Sequence, residues 1–213
     1  MDKSTQAVAI FDKYANEYMA KYMDVGKYAN GLDLFCQYIE NPTAEILEIA
    51  CGPGNISKYL LDKMPSIKLL GTDLSERMLE LAKKNNPSAE FACMDCRNIQ
   101  FFSKKYDGIM CGFCLPYLTK SETIQFLYDA SDLLNDNGIL YLSTMEDDYE
   151  KSSLQTSSKG DQMFMHYHES GYLKEALQSK GFTIIYEHRL PQTGELVGTP
   201  PDLVLVARKL TNA

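Results

Sequence analysis

The residues of this chain best suited to chemistry are a glycine turn and two acids. The apolar run Ile46–Ala50 enters Cys51-Gly-Pro-Gly-Asn55, and Asp73 and Asp95 each close a later apolar run. A strand ending in a glycine turn aims backbone N–H groups at a polar ligand. A phosphate-binding P-loop would need a lysine that this turn lacks. A dinucleotide fingerprint would need glycine where Ser57 stands, and Pro53 removes one N–H from the turn. Asp73 lies 19 residues beyond Gly54, where an acid receives the hydroxyls of a ribose. Asp95 could meet the exocyclic amine of an adenine. Together they describe a nucleoside without demanding a phosphate.

The elements that must position these residues alternate. Val8, Phe11, Ala15, Tyr18 and Tyr22 fall at helical steps and predict one amphipathic helix over residues 4–22. A second helix over 27–40 stops before Pro42. Strands follow at EILEIA, IKLLGTD, AEFACMD, YDGIMCG and GILYLSTM, separated by helices at 55–63, from Ser75 to about residue 85, and after the capping box Thr119–Glu122. A helix over 170–180 closes at Gly181, and FTIIYEH and DLVLVARK form a final pair across the connection 189–201. Alternation predicts an α/β sandwich, a parallel sheet covered on both faces with ligands at the carboxyl ends of its strands. The last strand, reached without a helix, pairs antiparallel. The polar stretch 146–162 is a lid or a surface loop.

Bulk properties bound the function. The chain has 213 residues, enough for one substantial domain. Its net charge of −8, with no dense basic cluster, weighs against a nucleic-acid partner. No apolar run reaches the ~18 residues of a membrane span, and the N-terminus has no signal-peptide core. These features predict a cytoplasmic protein, in which the six cysteines are reduced thiols.

In order and spacing, ILEIACGPGNIS, GTDLSERMLELAKKN, FACMDCRNI and YDGIMCGFCLPYL resemble the successive motifs of class I S-adenosylmethionine-dependent methyltransferases. FDKYANEYMAKY is similar to the N-terminal helix of small-molecule members. The resemblance implies a three-layer Rossmann-like fold whose seven strands run 3-2-1-4-5-7-6. It implies one domain: a helical cap (1–42), a cofactor-binding core (43–145), an insert or lid (146–168), and a C-terminal helix with a strand pair (169–213). It also implies S-adenosylmethionine as cofactor and a small-molecule methyl acceptor. Carried over by position, Ala50, Gly52 and Gly54 bring backbone to the methionine moiety, and Glu48 holds the loop or the amino group. Asp73 takes the ribose, Leu74 and Met78 flank the adenine, and Asp95 and Cys96 read its edge. Phe113 lies near the reacting methyl, and Tyr18 closes over the cofactor. A proton acceptor could be His166, His168, Tyr117 or Glu146.

Cys93-x-x-Cys96 and Cys111-x-x-Cys114 have zinc-ribbon spacing. In the implied strand order, three strand spacings put the pairs about 14 Å apart, too far for one metal. No metal is therefore expected. Two rivals stay open: a nicotinamide-dependent oxidoreductase on a similar sheet, and a cofactor-binding module without catalysis.

Overall fold

The computed structural model describes residues 3–157, 159–192 and 199–211. Its center is a sheet of seven strands: β1 (Glu45–Ile49), β2 (Lys68–Asp73), β3 (Glu90–Cys93), β4 (Tyr106–Gly112), β5 (Leu134–Met145), β8 (Phe182–Leu190) and β9 (Asp202–Lys209). They lie in the order β3-β2-β1-β4-β5-β9-β8. The pairs from β3 to β5 are parallel, and β9 is antiparallel to both neighbors. This is the sheet expected from the sequence. The two final strands take higher numbers because a separate hairpin, β6 (Ser153–Thr156) with β7 (Gln162–Met165), precedes them.

Helices cover both faces because every central strand is apolar on both sides. β1 buries Ile46, Leu47, Glu48 and Ile49 almost fully. One face packs α6 (Lys120–Leu133) and α7 (Ser170–Ser179) through Phe126, Leu127, Leu173 and Leu177. The other packs α3 (Ala29–Tyr38) and α4 (Asn55–Lys63) through Leu32, Phe35 and Leu60. Three cap features predicted from sequence are present. Thr119 and Glu122 form a reciprocal capping box, Ser75 Oγ accepts from Met78 N, and Gly181 ends α7 at φ +79°.

One expectation is corrected. The N-terminal helix is broken into α1 (Lys3–Lys13) and α2 (Ala15–Tyr22), because Tyr14 leaves helical geometry at φ −112°, ψ 22°. The phenol of Tyr14 instead donates to Asp161 at 2.6 Å. The polar stretch after β5 is ordered as a short 3-10 turn and the β6–β7 hairpin. Within the connection 189–201, residues 193–198 lie outside the described residues.

The glycine turn is seated by α5 (Glu76–Asn85). Gly54 stands at φ +77°, and a Cβ there would lie 2.3 Å from Asn86 Nδ2 and 3.2 Å from Ala82 Cα. Gly54→Ala therefore combines left-handed strain with overpacking, an expected loss of about 2–4 kcal/mol. Urea unfolding monitored by circular dichroism reads that loss.

Candidate functional site

The sheet reverses its winding between β1 and β4, and an open α/β sheet binds ligands at such a point, beyond the strand ends. Both strands end there in strained backbone. Ala50 follows β1 at φ +53° and Phe113 follows β4 at φ +55°. Left-handed geometry costs a residue with a side chain about 1–2 kcal/mol, and such strain gathers at functional sites. Neighboring strands hold it in place. Cys51 N donates to Thr72 O at 2.9 Å, and Phe113 N donates to Ser143 O at 3.0 Å.

A cavity opens at this junction. Of the positions carried over from the resemblance, Tyr18, Ala50, Gly52, Asp73, Leu74, Met78, Asp95, Cys96 and Phe113 line it together. Gly52 has φ +53°, and a Cβ there would meet only the Tyr18 ring, 3.9 Å away. Its open side thus faces ligand space. Gly54 and Glu48 stand behind the lining. Glu48 is 1% exposed and accepts a hydrogen bond from Ser57 Oγ, so it braces the turn from beneath. Ser57, the residue in place of a third glycine, is thereby explained.

Asp73 is oriented by backbone donors. Its Oδ2 accepts from Gly52 N at 2.9 Å and its Oδ1 from Ser75 N at 2.8 Å. Burial raises its pKa above the usual carboxylate range, opposed by these two bonds. Asp95 differs. Burial pushes its carboxyl up, but the Arg97 side chain and backbone N–H outweigh that and hold it below the usual range. Arg97 Nη2 reaches Asp95 Oδ2 at 2.6 Å, while Nη1 lies 3.5 Å from Glu122.

The four candidate proton acceptors separate. Tyr117 lines the cavity, and burial raises its pKa, so it stays a protonated phenol. The other three are outside the lining. His168 is fully buried, its Nε2 against Leu115 O at 2.7 Å and its Nδ1 against the Tyr172 hydroxyl. Burial lowers its pKa to about 4. His166 stacks on Tyr149 with ring centroids 5.7 Å apart. Glu146 accepts from Arg189 Nε at 2.5 Å and from Ser170 N at 3.1 Å, at the start of α7.

The predicted distance between the cysteine pairs is also corrected. Cys96 and Cys114 are near neighbors, and Cys114 is likewise close to Cys111. Cys111 is in β4, while Cys96 and Cys114 sit on the segments that follow β3 and β4, and these converge beyond the strand ends. Among the described residues no group of three or more His, Cys, Asp or Glu could hold a metal ion.

Several supporting residues gave no sequence signal. Asn85 Nδ2 donates to Pro53 O at 2.8 Å and Asn86 Nδ2 to Gly54 O at 2.9 Å, clamping the turn. Asp12 Oδ1 accepts from Ser75 Oγ at 2.8 Å and Arg77 N at 3.1 Å, fastening α1 to the start of α5. On the far side Asp161 receives Lys13 at 3.0 Å as well as Tyr14, and Lys159 lies 4.1 Å over the Tyr14 ring. These contacts hold α1, with its Ala7, Val8 and Phe11, as a roof on the cavity.

Comparison with known proteins agrees with this geometry. Residues 46–138 match the family model described as a methyltransferase domain. The chain is 29% identical over 113 residues to a demethylmenaquinone methyltransferase of Thermotoga maritima, covering 50% of this chain and 48% of that protein. It spans less than half the length of that and other curated relatives it matches. Among solved structures, it superposes with TM-score 0.72 on magnesium protoporphyrin IX methyltransferase from Synechocystis PCC 6803 with bound SAM, at 16% identity and 98% coverage of both chains. A Burkholderia thailandensis 1,6-didemethyltoxoflavin-N1-methyltransferase gives TM-score 0.72 at 18% identity, over 97% of this chain and 88% of that one. At such identities these two likenesses concern the fold.

Glu48 has a measurable consequence. Burial raises its pKa to about 8, from the 4.5 of an ordinary glutamate. The folded state therefore keeps a proton that the unfolded state releases, and stability falls as pH rises from 4.5 toward 8. Unfolding free energies measured across that window should fall more steeply for wild type than for Glu48→Gln, by up to about 1.4 kcal/mol per pH unit.

Proposed function

We propose that this chain, which belongs to the class I S-adenosylmethionine-dependent methyltransferases, transfers the methyl group of that cofactor to a small-molecule acceptor. One observation carries the reading. The open face of Gly52, the Asp73 carboxylate, Leu74, Met78 and Asp95 border one cavity with Phe113 at the sheet's switch point. The lining fits a nucleoside bearing an amino-acid tail, with acids for hydroxyls and an amine, and apolar side chains for a base.

When bound, S-adenosylmethionine supplies a methyl carbon already activated by a sulfonium, open to in-line displacement by an acceptor lone pair. The residues of the chain then have to bind, orient and exclude water. Asp73 is the group for the ribose hydroxyls, kept in place by the Gly52 and Ser75 amides. Leu74 and Met78 flank the adenine, and Asp95 with the backbone of Cys96 meets its edge. Ala50 and Gly52 bring backbone beside the methionine moiety, with Gly54 fixing the turn from behind. Phe113 and Tyr18 wall the reacting end, and α1 covers the site from solvent. Tyr117, as a protonated phenol, donates a hydrogen bond rather than accepting a proton. We further propose that the protein acts without nucleic acid or membrane; among the described residues no helix is long and apolar enough to cross one.

Isothermal calorimetry with S-adenosylhomocysteine tests the assignment of Asp73. Asp73→Ala loses charge-assisted hydrogen bonds worth about 1.5–3 kcal/mol, so affinity should drop about 10- to 100-fold. An unchanged affinity would remove Asp73 from the binding site.

A further inference from the structure

The chemistry of the cavity wall narrows the acceptor, on the premise that the methyltransferase reading holds. The N-terminal helices and the segment after β4 contribute an aromatic cluster. Phe11 meets Tyr18 edge-on at 5.6 Å and Tyr117 edge-on at 5.3 Å between ring centroids. Phe113, also lining the cavity, is met edge-on by Tyr28 at 5.3 Å. Rings held in edge-to-face contact form a rigid apolar surface suited to a flat molecule.

Two polar atoms interrupt that surface. Among the described residues, neither the Tyr18 nor the Tyr117 hydroxyl has a hydrogen-bond partner, although both residues line the cavity. A phenol in an apolar site normally finds a partner. Both hydroxyls stay protonated at neutral pH, since burial pushes Tyr18 up to about 12 and Tyr117 higher still. They are therefore donors waiting for an acceptor oxygen or nitrogen.

Charge decides what that acceptor atom belongs to. Arg97 is the one cation among the described lining residues, and it is committed to Asp95 and Glu122. Asp73 and Asp95 add negative charge to the wall. A carboxylate or phosphate entering this space would lose its hydration without gaining a cation from the protein, a cost of several kcal/mol that only the sulfonium of the cofactor would offset.

We infer that the methyl acceptor is a neutral, largely apolar ring compound that presents a hydrogen-bond-accepting oxygen or nitrogen to Tyr18 and Tyr117, and is not a carboxylate or a phosphate ester.

The test uses two probes that share a ring, an acetylnaphthalene and the matching naphthoate. Binding of S-adenosylhomocysteine is measured first, and its absence overturns the methyltransferase reading beneath this inference. Protein saturated with it is then titrated with each probe by calorimetry. The neutral ketone should bind at least about tenfold more tightly than the carboxylate. Tyr117→Phe and Tyr18→Phe should each weaken ketone binding about three- to tenfold, the loss of one neutral hydrogen bond, measured on protein saturated with S-adenosylhomocysteine at the affinity found for that variant. Naphthoate binding as tightly as the ketone overturns the inference and leaves the underlying reading intact. So does failure of both probes to bind below millimolar concentration, or unchanged ketone affinity in both tyrosine variants.

Discussion

The cavity depends on how closely the backbone of Gly54 approaches the helix behind it. No side chain fits between Gly54 and Ala82, so turn and helix touch directly. Asn85 and Asn86, at the end of that helix, then reach the Pro53 and Gly54 carbonyls. A turn anchored on two carbonyls can hold its remaining backbone in strained geometry. That is why Ala50 and Gly52 keep positive φ and present an open face to the cavity. Strain at the ligand side is offset by hydrogen bonds and packing on the opposite side.

The same economy governs the acids. Each carboxylate near the turn has a different partner, and the partner sets its chemistry. Glu48 lies beneath the turn, held by the Ser57 hydroxyl and backbone N–H, and burial raises its pKa to about 8. Asp73 faces the cavity, oriented by backbone amides without a cation beside it. Asp95 is held ionized by Arg97. Three acids within one site thus differ in charge state and orientation, according to desolvation and the nearest donor.

The sheet was legible because its signals are local. Each strand is a short apolar run ended by a turn residue, each helix has its cap, and the motif order fixed the strand order. Ala50, Gly52, Asp73, Leu74, Asp95, Cys96 and Phe113 lie together in the cavity lining because each sits at or just past a strand end; what surrounds them was not legible. Tyr14 continues the helical spacing of its neighbors, and only its bond to Asp161, far along the chain, explains the break. The β6–β7 hairpin has little apolar alternation, and its contacts run to α1. The cysteine distance failed because strand spacing says nothing of where the following segments turn. His168 and Glu146 show their residue types in sequence, but not the Leu115 carbonyl or the Arg189 guanidinium that engages each.

The central claim is that this cavity holds S-adenosylmethionine and not a nicotinamide dinucleotide. Parallel calorimetric titrations with S-adenosylmethionine and with reduced nicotinamide adenine dinucleotide test it most directly. The account predicts saturable binding of S-adenosylmethionine, one molecule per chain, and no heat from the dinucleotide. Binding of the dinucleotide, or no binding of S-adenosylmethionine at millimolar concentration, would contradict it.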